Sequence, residues 1–399
     1  MTVVAQFEQA IASSKSPSPD ALLDAAEAAL QAAGDFHRLF DVRLVRARRQ
    51  LGLPITQPTS LQNIPKQHEA EFRAAYTTAG REVGRLFLDA DKLADAWAYF
   101  RTISEPQPVR DAIAAKAAAL GNESGPQVDE LLNLALYDGA HVIEGLTLLL
   151  RTHGTCNTVT ALSQLLARMT PDERRQAATL MVRRIYADLV AGVRRDVERR
   201  QPLLKPSAGL AELIAGRESL FADGAYHVDV SHLHSIVSFA RHLNRTDPEL
   251  RLAIELCRYG AQLSEPLRYP ADVPFDDYYV ANGHFLSALA GDDVDANLKY
   301  FIDRLNDEPD PQDKKMIAFV VADLGSRVER KSVSLEAAAP FLAGMEDPAG
   351  FSFTTCCVEA GRLDLLESAA REQDDVLALV TARLLSEPLV STTSAETSR

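Results

Sequence analysis

The stretch Tyr226-His227-Val228-Asp229-Val230-Ser231-His232-Leu233-His234 holds three histidines and an aspartate, although the whole chain has only 9 histidines. Imidazoles and a carboxylate this close are the raw material of a metal site or of an acid/base pair. Part of the pattern recurs downstream, where Tyr278, Val280, His284 and Ser287 match Tyr226, Val228, His232 and Ser235. An upstream echo, Asp138-Gly139-Ala140-His141-Val142, resembles Asp223-Gly224-Ala225-Tyr226-His227-Val228 with one residue inserted. On a helix, His141 and Glu144 share a face at i and i+3. The candidate ligands are therefore His141, Glu144, His227, Asp229, His232 and His284, in a set that suits a divalent metal such as zinc, iron or manganese. In that reading Glu144, Asp229 and His232 are also the candidate catalytic groups. The competing explanation is local: Ser, Asp and His in a first turn cap free amides, and a Tyr-His pair can simply be packed between helices.

Two other segments carry polar chemistry. Arg151-Thr152-His153-Gly154-Thr155-Cys156-Asn157 brings a thiol, an imidazole and an amide together, but Gly154 as a left-handed helix cap explains His153 and Gly154 without catalysis. The loop from Glu265 to Tyr279 is aromatic and acidic and leads into the helix with His284; Tyr226, Tyr278 and Tyr279 are candidate walls of a small-molecule pocket. The pairs Arg194-Arg195 and Arg199-Arg200 alternate with Asp196 and Glu198 and read as a solvated face.

Helices must position these groups. Apolar residues recur at helical spacing, as in Leu233, Ile236, Val237, Ala240 and Leu243, and no segment alternates as a strand does. Pro and Gly-Asp punctuation predicts helices at about 19–33, 36–51, 67–89, 92–103, 109–119, 127–152, 157–168 and 171–199. More are expected at about 208–220, 231–243, 248–263, 279–290, 293–305, 312–329, 334–344, 351–359, 362–371 and 374–385. Thr170-Pro171-Asp172-Glu173 reads as a capping box with proline in the first helical position. The fold class is all-α, a stack of antiparallel helical hairpins forming an α-solenoid. We divide it into residues 1–120, residues 121–385 with the His/Asp/Glu cluster, and a disordered tail over 386–399.

From residue 77 the chain carries Val83, Gly84 and Phe87 on one helix, Ala96 and Phe100 on the next, then Ile103 and Pro108. Over residues 77–110 this spacing resembles the tetratricopeptide repeat. The resemblance implies that the small residue lets two helices approach closely while the aromatics fill the groove between them. Gly80 departs from it, standing where a large apolar residue is usual. Gly291-Asp292-Asp293 with Ala296 and Tyr300 looks like a weaker copy.

The 42 Lys+Arg against 56 Asp+Glu leave a net charge of −14, which repels polyphosphates and anionic lipid, so neither nucleic acid nor membrane is an expected partner. The 4 cysteines form no CxxC pair, and the start has no signal-peptide pattern; a cytoplasmic location is expected. Phosphate-loop, dinucleotide, nucleophile-elbow and His-Glu-x-x-His motifs are absent. The expected function is a helical-repeat protein that binds a peptide or protein partner on a concave surface. The alternatives are a metal-dependent hydrolase or oxygenase on the same scaffold, or a protein that takes a small-molecule substrate.

Overall fold

The computed structural model describes residues 1–12, 17–62, 64–200, 209–342 and 352–386. It is all-α, with no strand among the described residues, and helices adjacent in sequence pack on one another. No helix among those residues is long and apolar enough to cross a membrane. The tail expected over 386–399 lies outside the described residues, except for Ser386, which ends a helix. Contacts divide the chain into Met1–Gly154 and Thr155–Arg399, later than the boundary at 120/121 drawn from the sequence.

The first unit contains α1 (Val3–Ile11), α2 (Pro19–Ala33), α3 (Phe36–Gln50), α4 (Lys66–Asp89), α5 (Leu93–Thr102), α6 (Gln107–Leu120), α7 (Pro126–Leu132) and the start of α8 (Val142–Leu165). Local signals fix most of these ends. Ser18 accepts from the Ala21 amide with Pro19 in the first turn of α2, and Gly34 closes that helix at φ 70°. Between α4 and α5 the helices come close because Gly84 lacks a side chain: a Cβ there would lie 2.7 Å from the Phe100 ring. Phe100, Val83 and Ala96 are fully buried around that crossing.

One expected helix of this unit is broken. The 127–152 segment ends α7 at Leu132, passes through a π-turn (Asn133–Tyr137) and turns at Gly139 with φ 73° before α8 begins. Apolar periodicity runs across Asp138-Gly139, so period alone hides a stop of the type that Gly34 makes openly. Leu136 from the π-turn then packs against α8 where Gly145 offers no Cβ. Gly154 does not take the expected left-handed helical cap; at φ 81° and ψ −179° it interrupts α8, which continues to Leu165. That conformation is open essentially only to glycine.

The second unit continues with α9 (Pro171–Arg200), α10 (Leu210–Ile214), α11 (Val230–Ala240), α12 (Glu249–Gly260), α13 (Tyr278–Ala290), α14 (Val294–Asp307), α15 (Pro311–Arg327), α16 (Lys331–Leu342), α17 (Phe353–Glu359), α18 (Leu363–Glu372) and α19 (Val376–Ser386). The Thr170 capping box forms as read: its amide donates to Glu173 Oε2 at 2.8 Å, and the Glu173 amide donates to Thr170 Oγ1 at 3.2 Å. The expected 208–220 helix shrinks to α10 and a 3₁₀ turn at Glu218–Leu220, because Gly216 at φ 66° breaks it. Close crossings recur here too. A Cβ on Gly260 would meet the Tyr279 ring at 2.3 Å, and one on Gly325 would meet Ser334 Oγ at 2.0 Å. The weaker copy of the hairpin pattern departs from the first, for Ala296 is exposed rather than buried at a crossing.

Gly84→Ala should lower the melting temperature. Alanine gains about 1 kcal/mol of helix propensity, but its Cβ must displace a fully buried Phe100, at a cost of roughly 1–3 kcal/mol. A thermal melt followed by circular dichroism checks the sign, and a rise would show that the two helices do not meet at this residue.

Candidate functional site

The sequence cluster resolves mainly into packing. Asp229 is the N-cap of α11, accepting from the amides of Ser231 at 2.9 Å and His232 at 3.1 Å and from the Ser231 hydroxyl at 2.5 Å. The Ser231 hydrogen bond, with the help of those amides, holds its carboxyl below the usual range. His227 is wedged between helices: its Nδ1 is 2.9 Å from the Tyr259 hydroxyl, its Nε2 is 3.4 Å from Asp196, and its carbonyl sits where Gly192 of α9 has no Cβ. His284 locks a hairpin, with Nδ1 2.8 Å from Asn297 Oδ1 and its ring stacked 4.1 Å from Tyr300. His232 is half-buried in the first turn of α11.

In the first unit, His141 immediately precedes α8 and accepts the Gly145 amide through its carbonyl, and Glu144 is half-buried one turn on. The Asp-Gly echo is real in the backbone, since Gly139 and Gly224 turn at φ 73° and 72°. It repeats a way of starting helices. Among the described residues no three His, Cys, Asp or Glu side chains gather as a metal site. Cys156 is exposed. Of the three tyrosines, Tyr226 is exposed, Tyr279 is buried on Gly260, and Tyr278 alone lines the cavity described next.

That cavity, about 900 Å³, lies within the second unit. One wall is a stripe of α11 and its C-terminal turn: His234, Ser238, Arg241 and His242, at i, i+4, i+7 and i+8. A second is a stripe of α15 with Phe319, Asp323, Ser326 and Arg327. The loop from Pro270 to Phe275, Arg174 of α9, and Cys356 and Glu359 of α17 complete it. Helical periodicity applied to polar residues would have found these stripes; applied to apolar residues alone it found the opposite, core-facing side.

Three arginines reach the cavity in different states. Arg327 donates to the carbonyls of Arg241 at 2.7 Å and Leu243 at 2.6 Å, tying α15 to the end of α11, and lies 3.6 Å from Asp323. Arg174 donates to the Leu166 carbonyl at 2.9 Å. Among the described residues Arg241 donates only to Ser238, through Nη2 to the hydroxyl at 2.8 Å and Nε to the carbonyl at 3.3 Å, and its guanidinium lies 4.2 Å over the Phe275 ring. No carboxylate among the described residues is within 4.0 Å of it. Burial pulls its pKa down, against the weaker pull of Asp323.

The same field acts on the neighbours. Burial, then Arg174, Arg241 and Arg327, hold His242 neutral down to about 4. His234 is lowered as well, by burial and then Arg241; it stacks 3.8 Å from Tyr278, whose hydroxyl donates to the His234 carbonyl, and its Nδ1 has no partner. Asp323 is pushed up by burial despite the two arginines, and burial also keeps the Cys356 thiol protonated. A protonated thiol is a weak nucleophile. The arrangement suits holding an anion better than attacking a substrate.

Because folded His242 binds its proton only near pH 4, while the unfolded imidazole takes one up near 6.5, its contribution to stability is present above about pH 6.5 and is lost as pH falls through about 4. His242→Asn should therefore flatten the fall in melting temperature between those values; His234 supplies a remainder of the same sign. Parallel melts of the variant and the parent across that range check this, and identical slopes would remove His242 from the argument.

No family model, no curated protein and no solved structure matches this chain.

Proposed function

We propose that this chain is a helical-repeat binding protein, and that the cavity of its second unit receives an acidic segment of a peptide or protein partner. The observation that carries the proposal is Arg241, a desolvated guanidinium stacked on Phe275 with no ion pair among the described residues, its charge offset only in part by Asp323 of the same cavity. A buried cation normally has a paired anion, because leaving it alone forfeits hydration without return. Its remaining N–H donors suit a carboxylate approaching in the plane of the guanidinium. Phe275, Phe319 and Val320 line the same space and offer apolar contact to the rest of a segment. At about 900 Å³ the cavity sits at the upper end of ordinary ligand sites, which run to roughly 1,000 Å³.

Two finer assignments support this reading. The α4–α5 hairpin, with Gly84 against Phe100, fits a tetratricopeptide-like repeat, and such hairpins present concave faces to partners. All 4 cysteines are free, which fits a reducing cytoplasmic compartment.

Binding is measured by calorimetry with an acetylated, amidated hexapeptide of Asp and Glu flanking a Leu, beside its Asn/Gln counterpart. The acidic peptide should bind and the neutral one should not. Arg241→Gln should weaken binding roughly tenfold or more while leaving the melting temperature equal or higher, because the empty cavity loses a desolvated charge. Equal binding of both peptides, or an Arg241→Gln variant that melts early and binds normally, would overturn the proposal.

A further inference from the structure

A second, smaller pocket lies within the first unit, between α3, α4 and α5. It holds about 150 Å³ and is lined by His37, Tyr76, Gly80, Ala98, Tyr99, Thr102 and Ile103. That is about five times the ~30 Å³ share of one water, room for a head group and not for a whole residue. The pocket exists because Gly80 has no side chain: a Cβ there would lie 2.9 Å from Ile103 and would intrude where the large apolar residue of the resembled repeat belongs.

Its walls are aromatic and its surroundings are negative. Tyr76 and Tyr99 each meet the buried Phe40 edge-on, with ring centres 5.1 Å apart in both cases, which fixes the two rings around the pocket. Tyr99 is held further by Phe87, stacked at 5.6 Å, and by its hydroxyl, 2.8 Å from His37 Nδ1; His37 Nε2 in turn lies 3.5 Å from Asp95. Asp41 acts on His37, Tyr76 and Tyr99, yet forms no ion pair or hydrogen bond. Burial pushes Asp41 above its usual range, and burial, then Asp41, Tyr76, Asp95 and Asp35, raise Tyr99 to about 12. An aromatic face attracts cations through its quadrupole, and an unpaired, half-buried carboxylate adds to that attraction.

We infer that this pocket binds an alkylammonium group, the cationic head of a lysine side chain in a basic segment or of a methylated amine of similar size. The site is independent of the second-unit cavity in both position and charge. Its occupant inserts a compact cation between Tyr76 and Tyr99, with Asp41, one helical turn beyond His37 on α3 and outside the lining, adding charge attraction at a distance, and the alkyl stem leaves past the exposed Ala98 and His37.

The test titrates the full chain, followed by tyrosine ring resonances, with tetramethylammonium chloride and with acetylated, amidated Gly-Lys-Gly, its trimethyl-lysine form and its norleucine form. The cationic probes should move Tyr76 and Tyr99 and compete with one another, and norleucine should not. A preference between tetramethylammonium and the lysine peptides tells a free amine from a side chain. Asp41→Asn should weaken binding by roughly threefold to thirtyfold, the range for a partly desolvated cation contact. Ala98→Leu, an exposed position on the rim, should block the pocket with helix content unchanged. Norleucine binding as well as lysine, no response to any cation, or unaltered binding by Ala98→Leu would overturn the inference.

Discussion

At several crossings among the described residues, helices come within one side chain's thickness of each other because one partner gives up its Cβ. Gly84 beneath Phe100, Gly260 beneath Tyr279 and Gly325 beneath Ser334 are three instances of that constraint. Each glycine costs about 1 kcal/mol of helix propensity relative to alanine. The return is dense packing of the neighbouring aromatic or polar side chain, and with it a fixed spacing inside each hairpin. Both recesses of the molecule depend on that spacing. The small pocket is bounded by the α4–α5 hairpin, and α15, whose Gly325 meets Ser334 of α16, forms one wall of the large cavity.

Burial of charge is the second organising cost, and the arginines divide it between them. Arg327 spends its donors on two carbonyls at the end of α11, where a cation is also favoured by the helix dipole. It is a structural clasp. Arg241, on the α11 wall, spends donors among the described residues only locally, on Ser238, and the difference between the two cannot be read from residue type. His242 records its burial first and their combined field second, because a neutral imidazole is the cheapest response to a desolvated position near three guanidinium groups.

The fold was largely legible from the chain, because helix ends carry local chemistry. Ser18-Pro19 and Thr170 with Glu173 cap helices through contacts three residues long, which the sequence displays directly. Where an apolar period crossed a turn, as at Asp138-Gly139, the expected helix was too long, and α1, a mostly apolar helix of only 9 residues, was overlooked. The recurrent histidines occupy different local roles, His232 in the first turn of α11 behind the Asp229 cap and His284 inside α13 against Asn297 and Tyr300, so recurrence in sequence does not by itself bring side chains together. The groups that do converge come from two helices, His234, Ser238 and Arg241 in one stripe of α11 and its C-terminal turn and Asp323 on α15, and the meeting of the two stripes depends on long-range packing that local spacing does not encode.

The recessed position of the guanidinium groups also shapes the kinetics of encounter. A protein with a net charge of −14 presents an acidic ligand with a repulsive field until the ligand is within about a Debye length, ~10 Å at 0.1 M salt, of the arginines. On the function proposed above, capture of an acidic segment by the second-unit cavity would be slow at low ionic strength and would accelerate as salt screens the repulsion, the reverse of ordinary steered association. A cation entering the tyrosine pocket as inferred above would feel the same field as an attraction and would arrive more slowly as salt is added. The same net charge would time the two proposed arrivals in opposite directions.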